Sequence, residues 1–204
     1  MGDGDLLKEN REYKGNWRSF IIFTLIVGFI VGFFSVISDN LPNITDSVTV
    51  LEFVISYLAV MINSLPMWFI LAMLVGYVFA GNIKEAVLFG VIYTVTAITF
   101  YFVIGYFYTD IPFPISIKEW AINYMAWVIP SVIGGIIGGS VGFLVKKTPY
   151  ALLIVLVGLI FQMFLYGTSS WGDFVGISQN VTFCLIIVSI VFYIIIVKRK
   201  KELD

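Results

Sequence analysis

The chain of 204 residues contains no histidine and a single cysteine, Cys184. Those two shortages exclude whole classes of chemistry. Without histidine there is no Ser-His triad, no HExxH zinc site and no usual haem ligand. With one cysteine, no disulfide closes within the chain and no thiolate cluster holds zinc. Charge is scarce too. Asp, Glu, Lys and Arg make up 12% of the residues, about half of the roughly 25% usual in soluble domains. The net charge is −1, so no basic surface points to nucleic acid. No GxxxxGK[ST] phosphate loop occurs, and any use of ATP falls to a partner. From these residues we expect no enzyme, no metal site and no cofactor.

What fills the chain instead is apolar: 60% of the residues are hydrophobic and the mean hydropathy is +1.00. Apolar runs cover 19–37, 48–62, 66–80, 86–108, 120–145, 150–167 and 180–197. A helix needs about 20 such residues to cross ~30 Å of hydrocarbon. The pattern predicts an all-α, polytopic membrane bundle surrounded by lipid. The question is whether 48–81, VTVLEFVISYLAVMINSLPMWFILAMLVGYVFAG, makes one crossing or two.

Basic residues decide it, because Lys and Arg in short loops collect on the cytoplasmic side. With seven crossings and the N-terminus inside, Lys84, Lys146, Lys147 and the KRKK run from Lys198 to Lys201 all fall outside. With 48–62 not crossing, Lys118 alone among the 12 basic residues lies outside. Six spans are therefore predicted, at about 19–37, 66–81, 86–108, 120–145, 150–167 and 180–197. A short outer-face or re-entrant helix occupies about 48–62. Residues 1–18 form a cytoplasmic lead without the marks of a cleaved signal, and 198–204 a cytoplasmic basic tail. This is the plan of a multi-pass plasma-membrane protein of prokaryotic type. Ser64 is the expected N-cap of the second span and Pro66 suits its first turn, with Leu65 biased away from helix by the proline.

Thr49, Glu52, Ser56 and Asn63 recur at helical spacing and form one polar stripe on 48–62. The stripe either faces water from an interfacial helix or lines a polar cavity under a re-entrant one. In the second case Glu52, Ser56, Asn63 and Trp68 are the candidate ligand-binding residues. Small residues recur at four-residue spacing: Gly28 and Gly32 on the first span, Gly134, Gly138 and Gly142 on the fourth. Such faces admit close helix approach, either within the bundle or to another membrane protein. Gln162, Thr94, Thr96, Ser131 and Thr182 lie inside spans and are expected to bond across helices. Pro130 is expected to kink its span. Glycine-rich runs open both three-span halves, as in the inverted repeats common among transporters.

Residues 63–90, NSLPMWFILAMLVGYVFAGNIKEAVLFG, precede a span ending YFVIGYF. This resembles a group of small six-span prokaryotic membrane proteins of unknown function, in which an Asn-Ser-x-x-x-Trp turn opens a span. That resemblance implies no activity. The architecture of six spans, cytoplasmic termini, a Gly28-x-x-x-Gly32 pair and a long outer loop resembles the substrate-binding components of energy-coupling-factor vitamin transporters. It implies that the first-span motif docks a coupling subunit and that the outer loop lids a ligand. Here glycine stands where alanine is usual in that motif, and no vitamin-specific signature is present. Two functions follow as expectations. The first, which we adopt, is a small-solute transport or substrate-binding component energised by partner subunits, with an unidentified small-molecule ligand. The second is a non-transporting membrane protein, such as an immunity, envelope-stress or assembly factor, acting through helix contacts at the Gly134–Gly142 face.

Overall fold

The computed structural model describes residues 16–41, 49–108 and 116–203. Seven α-helices are present among the described residues: α1 Trp17–Asp39, α2 Val50–Asn63, α3 Leu65–Phe79, α4 Ile83–Tyr108, α5 Ile117–Lys147, α6 Leu152–Tyr166 and α7 Phe174–Leu203. Short 3-10 turns precede α6 (Pro149–Ala151) and α7 (Thr168–Trp171). No strand occurs among the described residues. Five helices are long and apolar enough to cross a membrane, and the bent pair α2–α3 counts as a sixth. The chain is an all-helical integral membrane protein.

Local chemistry sets the helix starts. Asn16 accepts from the Ser19 amide at the head of α1. Thr49 with Glu52, and Ser116 with Glu119, form capping boxes at α2 and α5, each satisfying amides that a helix start leaves free. At α4, Asn82 accepts from the Glu85 amide while the Glu85 carboxylate accepts from Gly81 N–H. The last helix corrects the sequence reading. Asp173 accepts from the Gly176 amide at 2.8 Å, so α7 begins at Phe174 rather than near 180. It then runs on through the basic segment expected to be a tail.

The junction at Ser64 is one extended residue, φ −69 and ψ 140. Leu65 is already helical, so the helix overrides the bias that Pro66 places on the residue before it. The Ser64 hydroxyl caps nothing in α3; it donates to the Met61 carbonyl at 2.7 Å. The helix axis turns by 65° there. A re-entrant hairpin needs a reversal, and 65° is less than a right angle. With α3 along the membrane normal, α2 lies within about 25° of the membrane plane. At ~1.5 Å per residue, α3 rises about 22 Å and slanting α2 adds about 9 Å along the same direction. Together they come to about the ~30 Å thickness of a hydrocarbon layer. Residues 42–48 of the preceding loop lie outside the described residues.

Close backbone contact holds α1, α3, α4 and α5 together. In lipid, apolar area alone gives no drive for helix association, so contact quality matters most. A methyl placed on Gly76 would overlap the Gly139 carbonyl, on Gly90 the Gly135 carbonyl, on Gly139 the Ala86 carbonyl, and on Gly142 the Met73 carbonyl. The helices meet there with nothing between them. Thr94 crosses the same interface, donating to the Ser131 carbonyl at 2.7 Å. Pro130 lies inside α5, which continues through it. At the end where α1 begins, Phe20 stacks on Phe89 at 4.2 Å, with Trp17 edge-on at 4.6 Å. Lys146 donates to the Ala80 carbonyl at 2.6 Å, tying α5 to the end of α3.

The last two helices are attached more loosely. Leu159 of α6 and Phe183 of α7 share a small core with Phe69, Ile70 and Met73 of α3. The α6–α7 pair otherwise shows lipid-facing side chains such as Phe164, 81% exposed. The two halves therefore do not pack alike: α1 lies along α4, whereas α5 makes no comparable contact with α7.

Candidate functional site

Glu52, Ser56, Asn63 and Trp68, the four residues expected to bind a ligand, line neither of the two grooves described below. Glu52 is exposed, and its carboxylate accepts from the Thr49 amide at 2.8 Å and hydroxyl at 2.7 Å. The hydroxyl contact first, then the amide, holds the Glu52 carboxyl below the usual carboxylate range; slight desolvation opposes them. Asn63 donates to Asp39 at 2.8 Å, and Tyr101 donates to the other Asp39 oxygen at 2.6 Å. That cluster joins α1, α2 and α4. Trp68 packs against the core around Phe20 and Tyr93. Ser56 is buried at the edge of α2. The polar stripe is thus divided between helix capping and helix linking.

The small-residue faces meet this chain's own helices. Gly28 and Gly32 lie against Ala97, Phe100 and Tyr101 of α4, and Gly138 and Gly142 against Ala72 and Met73 of α3. Gly134 has nothing within 4 Å. Of the polar residues inside spans, Thr94 and Thr182 bond across helices. Gln162 instead donates to Tyr166 one turn along α6.

Thr182 leads to the feature that the stripe did not reveal. Tyr57 of α2 meets Thr182 of α7, with 3.1 Å between the two hydroxyl oxygens. The Thr182 proton goes to the Ser178 carbonyl at 2.8 Å, so Tyr57 is the donor and its phenol oxygen keeps acceptor capacity. Tyr57 also divides two open grooves. The first, about 410 Å³, runs down α7 past Met61, Met67 and Ile70 to Leu152 and Tyr193. The second, about 470 Å³, lies between Phe53, Tyr57, Phe174 and Val181. Phe53 and Phe174 meet edge-to-face at 5.4 Å across it. Ser178 lines this second groove, and its hydroxyl makes no hydrogen bond. Two residues on, Asn180 anchors α7 to Ser170 at 2.8 Å, with its own amide oxygen buried and unpartnered.

Each element of the seam has a local cause. The Ser64 break aims α2 across α7, and the Asp173 cap starts α7 early enough to bring Phe174 and Ser178 opposite Phe53 and Tyr57. The lining offers neutral donors and acceptors on apolar walls and no ionisable carboxylate or lysine. Such a site can hold and orient a molecule through hydrogen bonds and apolar contact. No family model matches the chain, and neither does any curated protein or solved structure.

Proposed function

We propose that this membrane protein is a substrate-binding or transport component whose ligand enters from the lipid phase at the seam between α2 and α7. One observation carries the reading: two open apolar grooves, about 410 and 470 Å³, meet at the Tyr57–Thr182 hydrogen bond. Volumes of this order suit small molecules, whose pockets run about 300–1,000 Å³. The grooves are open rather than enclosed and are lined by apolar side chains, which suits a ligand dissolved in the membrane. The basic residues orient the chain with both termini in the cytoplasm and α2 on the outer side of a plasma membrane. Energy for transport comes from a partner, since the chain carries no nucleotide-binding loop. The alternative of a non-transporting assembly factor is less well supported, because of the Gly134–Gly142 face on which it relied α3 already fills Gly138 and Gly142, leaving Gly134 open.

The test is site-specific photo-crosslinking in native membranes. A photoreactive residue at Met61, in the first groove, should capture a discrete small molecule identified by mass spectrometry. The same residue at Phe164, on the lipid-facing side of α6, should capture bulk lipid alone. Identical adduct profiles at the two positions would overturn the proposal. Failure to recover any energising subunit with the protein would leave binding intact and remove transport.

A further inference from the structure

We infer that the ligand of the α2–α7 seam is an uncharged, single-tailed amphiphile whose polar end accepts a hydrogen bond from Ser178. The inference rests on the seam being a ligand site, as proposed above, and adds the chemistry of the ligand.

Shape gives the single tail. The first groove follows α7 from Thr182 to Tyr193, about 16 Å at ~1.5 Å per residue. Its volume of about 410 Å³ holds a tail of about fourteen groups at the ~30 Å³ a water-sized group occupies. The second groove lies toward the start of α7 and the slanted end of α2, where a polar end group would emerge. Tyr57 narrows the passage between the two.

Hydrogen bonding places the polar end. Ser178 is 3% exposed overall, yet it is one of the residues lining the second groove, and its hydroxyl is unused. The other serines inside spans α5 and α7, Ser131, Ser140 and Ser189, each donate to the carbonyl four residues earlier. Ser178 departs from that habit and offers a donor to the groove. Tyr57 offers an acceptor beside it. An ester or ring carbonyl would accept from Ser178 alone, and a hydroxyl could also donate to Tyr57.

Charge excludes an anionic head. Neither α2 nor α7 as far as Tyr193 carries a lysine or arginine, and the carboxylates at this end are Glu52 and Asp173, each next in sequence to a groove-lining phenylalanine. A phosphate or carboxylate head would meet negative charge with no counter-ion, in a medium where such charges are poorly screened.

Both a monoacylglycerol and an isoprenoid quinone carry the inferred chemistry, and native mass spectrometry of the full-length protein separates them. The probes are monooleoylglycerol, a short-chain isoprenoid quinone and oleoyl lysophosphatidylglycerol, the last being the anionic counterpart of the first. Preferential retention of either neutral probe, about tenfold over the anionic one, is the expected result, and whichever dominates names the source. Ser178→Ala should lower that retention about fivefold, the loss of one hydrogen bond, with circular dichroism unchanged. Glu52→Gln with Asp173→Asn, which keeps polar caps, should raise retention of the anionic probe. Equal retention of all three probes, or no effect of Ser178→Ala, would overturn the inference and leave the seam a ligand site. Retention of none would overturn the seam reading itself.

Discussion

Gly28 and Gly32 look equivalent in sequence, yet alanine at the two positions should give opposite results. A Cβ at Gly28 would lie 3.5 Å from a Phe100 ring carbon and 3.6 Å from the Ala97 backbone, an ordinary contact. A Cβ at Gly32 would lie 2.7 Å from the Tyr101 nitrogen and 2.8 Å from the Phe100 Cβ. That neighbour is backbone and cannot rotate away, so α1 has to move off α4. Gly→Ala in a helix gains about 0.8–1 kcal/mol of intrinsic propensity, and both variants share this gain. Overpacking at Gly32 costs about 1–3 kcal/mol. The difference between the variants isolates the packing cost, so Gly32→Ala should be about 1–3 kcal/mol less stable than Gly28→Ala. Gly28→Ala itself should equal or exceed the parent. The assay is reversible unfolding in mixed micelles by added denaturing detergent, followed by tryptophan fluorescence. Equal midpoints for the two variants, or a worse result at Gly28, would refute the close approach of α1 and α4.

The same logic separates the glycines of α5: Gly134→Leu, facing open space, should leave stability unchanged, whereas Gly142→Ala, overlapping the Met73 carbonyl, should lower the unfolding midpoint in that assay. Thr94→Val removes the hydrogen bond to Ser131 and should cost about 0.6–1.7 kcal/mol, the range of such bonds between membrane helices. Lys146→Met keeps the side-chain stem and loses the bond to the Ala80 carbonyl; it should cost about 1 kcal/mol and raise amide exchange at the α3–α4 turn. Glu52 titrates below the usual carboxylate range when capping α2, so its cap is fully present above that range and is lost as pH falls through the lowered value. Protection of the first amides of α2 should fall over that acid window, and in Glu52→Gln the fall should disappear.

The gross architecture is legible in the sequence because lipid imposes simple rules. Apolar run length marks the helices, and the break at Ser64 and Pro66 separates the run at 48–62 from the helix that follows. Helix ends are less legible because short polar side chains set them. Asp173 starts α7 well before its apolar run becomes continuous, and hydropathy does not register a cap. The packing of the glycine faces is written as spacing, but the partner is not. Gly138 and Gly142 announce a close neighbour, and that the neighbour is α3 depends on the whole bundle.

The candidate site shows most clearly where periodicity misleads. Glu52, Ser56 and Asn63 share a face of α2, which made the face look functional. Yet TVLE, residues 49–52, is also a capping box, with Thr three positions before Glu, and that local use occupies the carboxylate. Asn63 is taken by Asp39, 24 residues earlier, a pairing that no local pattern contains. The groove lies instead beside Tyr57, next to Ser56 in the chain and turned toward α7. Thr182 and Ser178 carry a partial signal. A hydroxyl in an apolar span needs an acceptor, and a serine that forgoes its own helix carbonyl leaves a donor for something else. Only the bend at Ser64 brings Tyr57 across to these residues, and the 65° turn is a property of the folded chain. Pro66 and the extended Ser64 mark where the turn falls; the direction of α2 depends on Thr182 and Asp39, which hold its middle and its last residue from other helices.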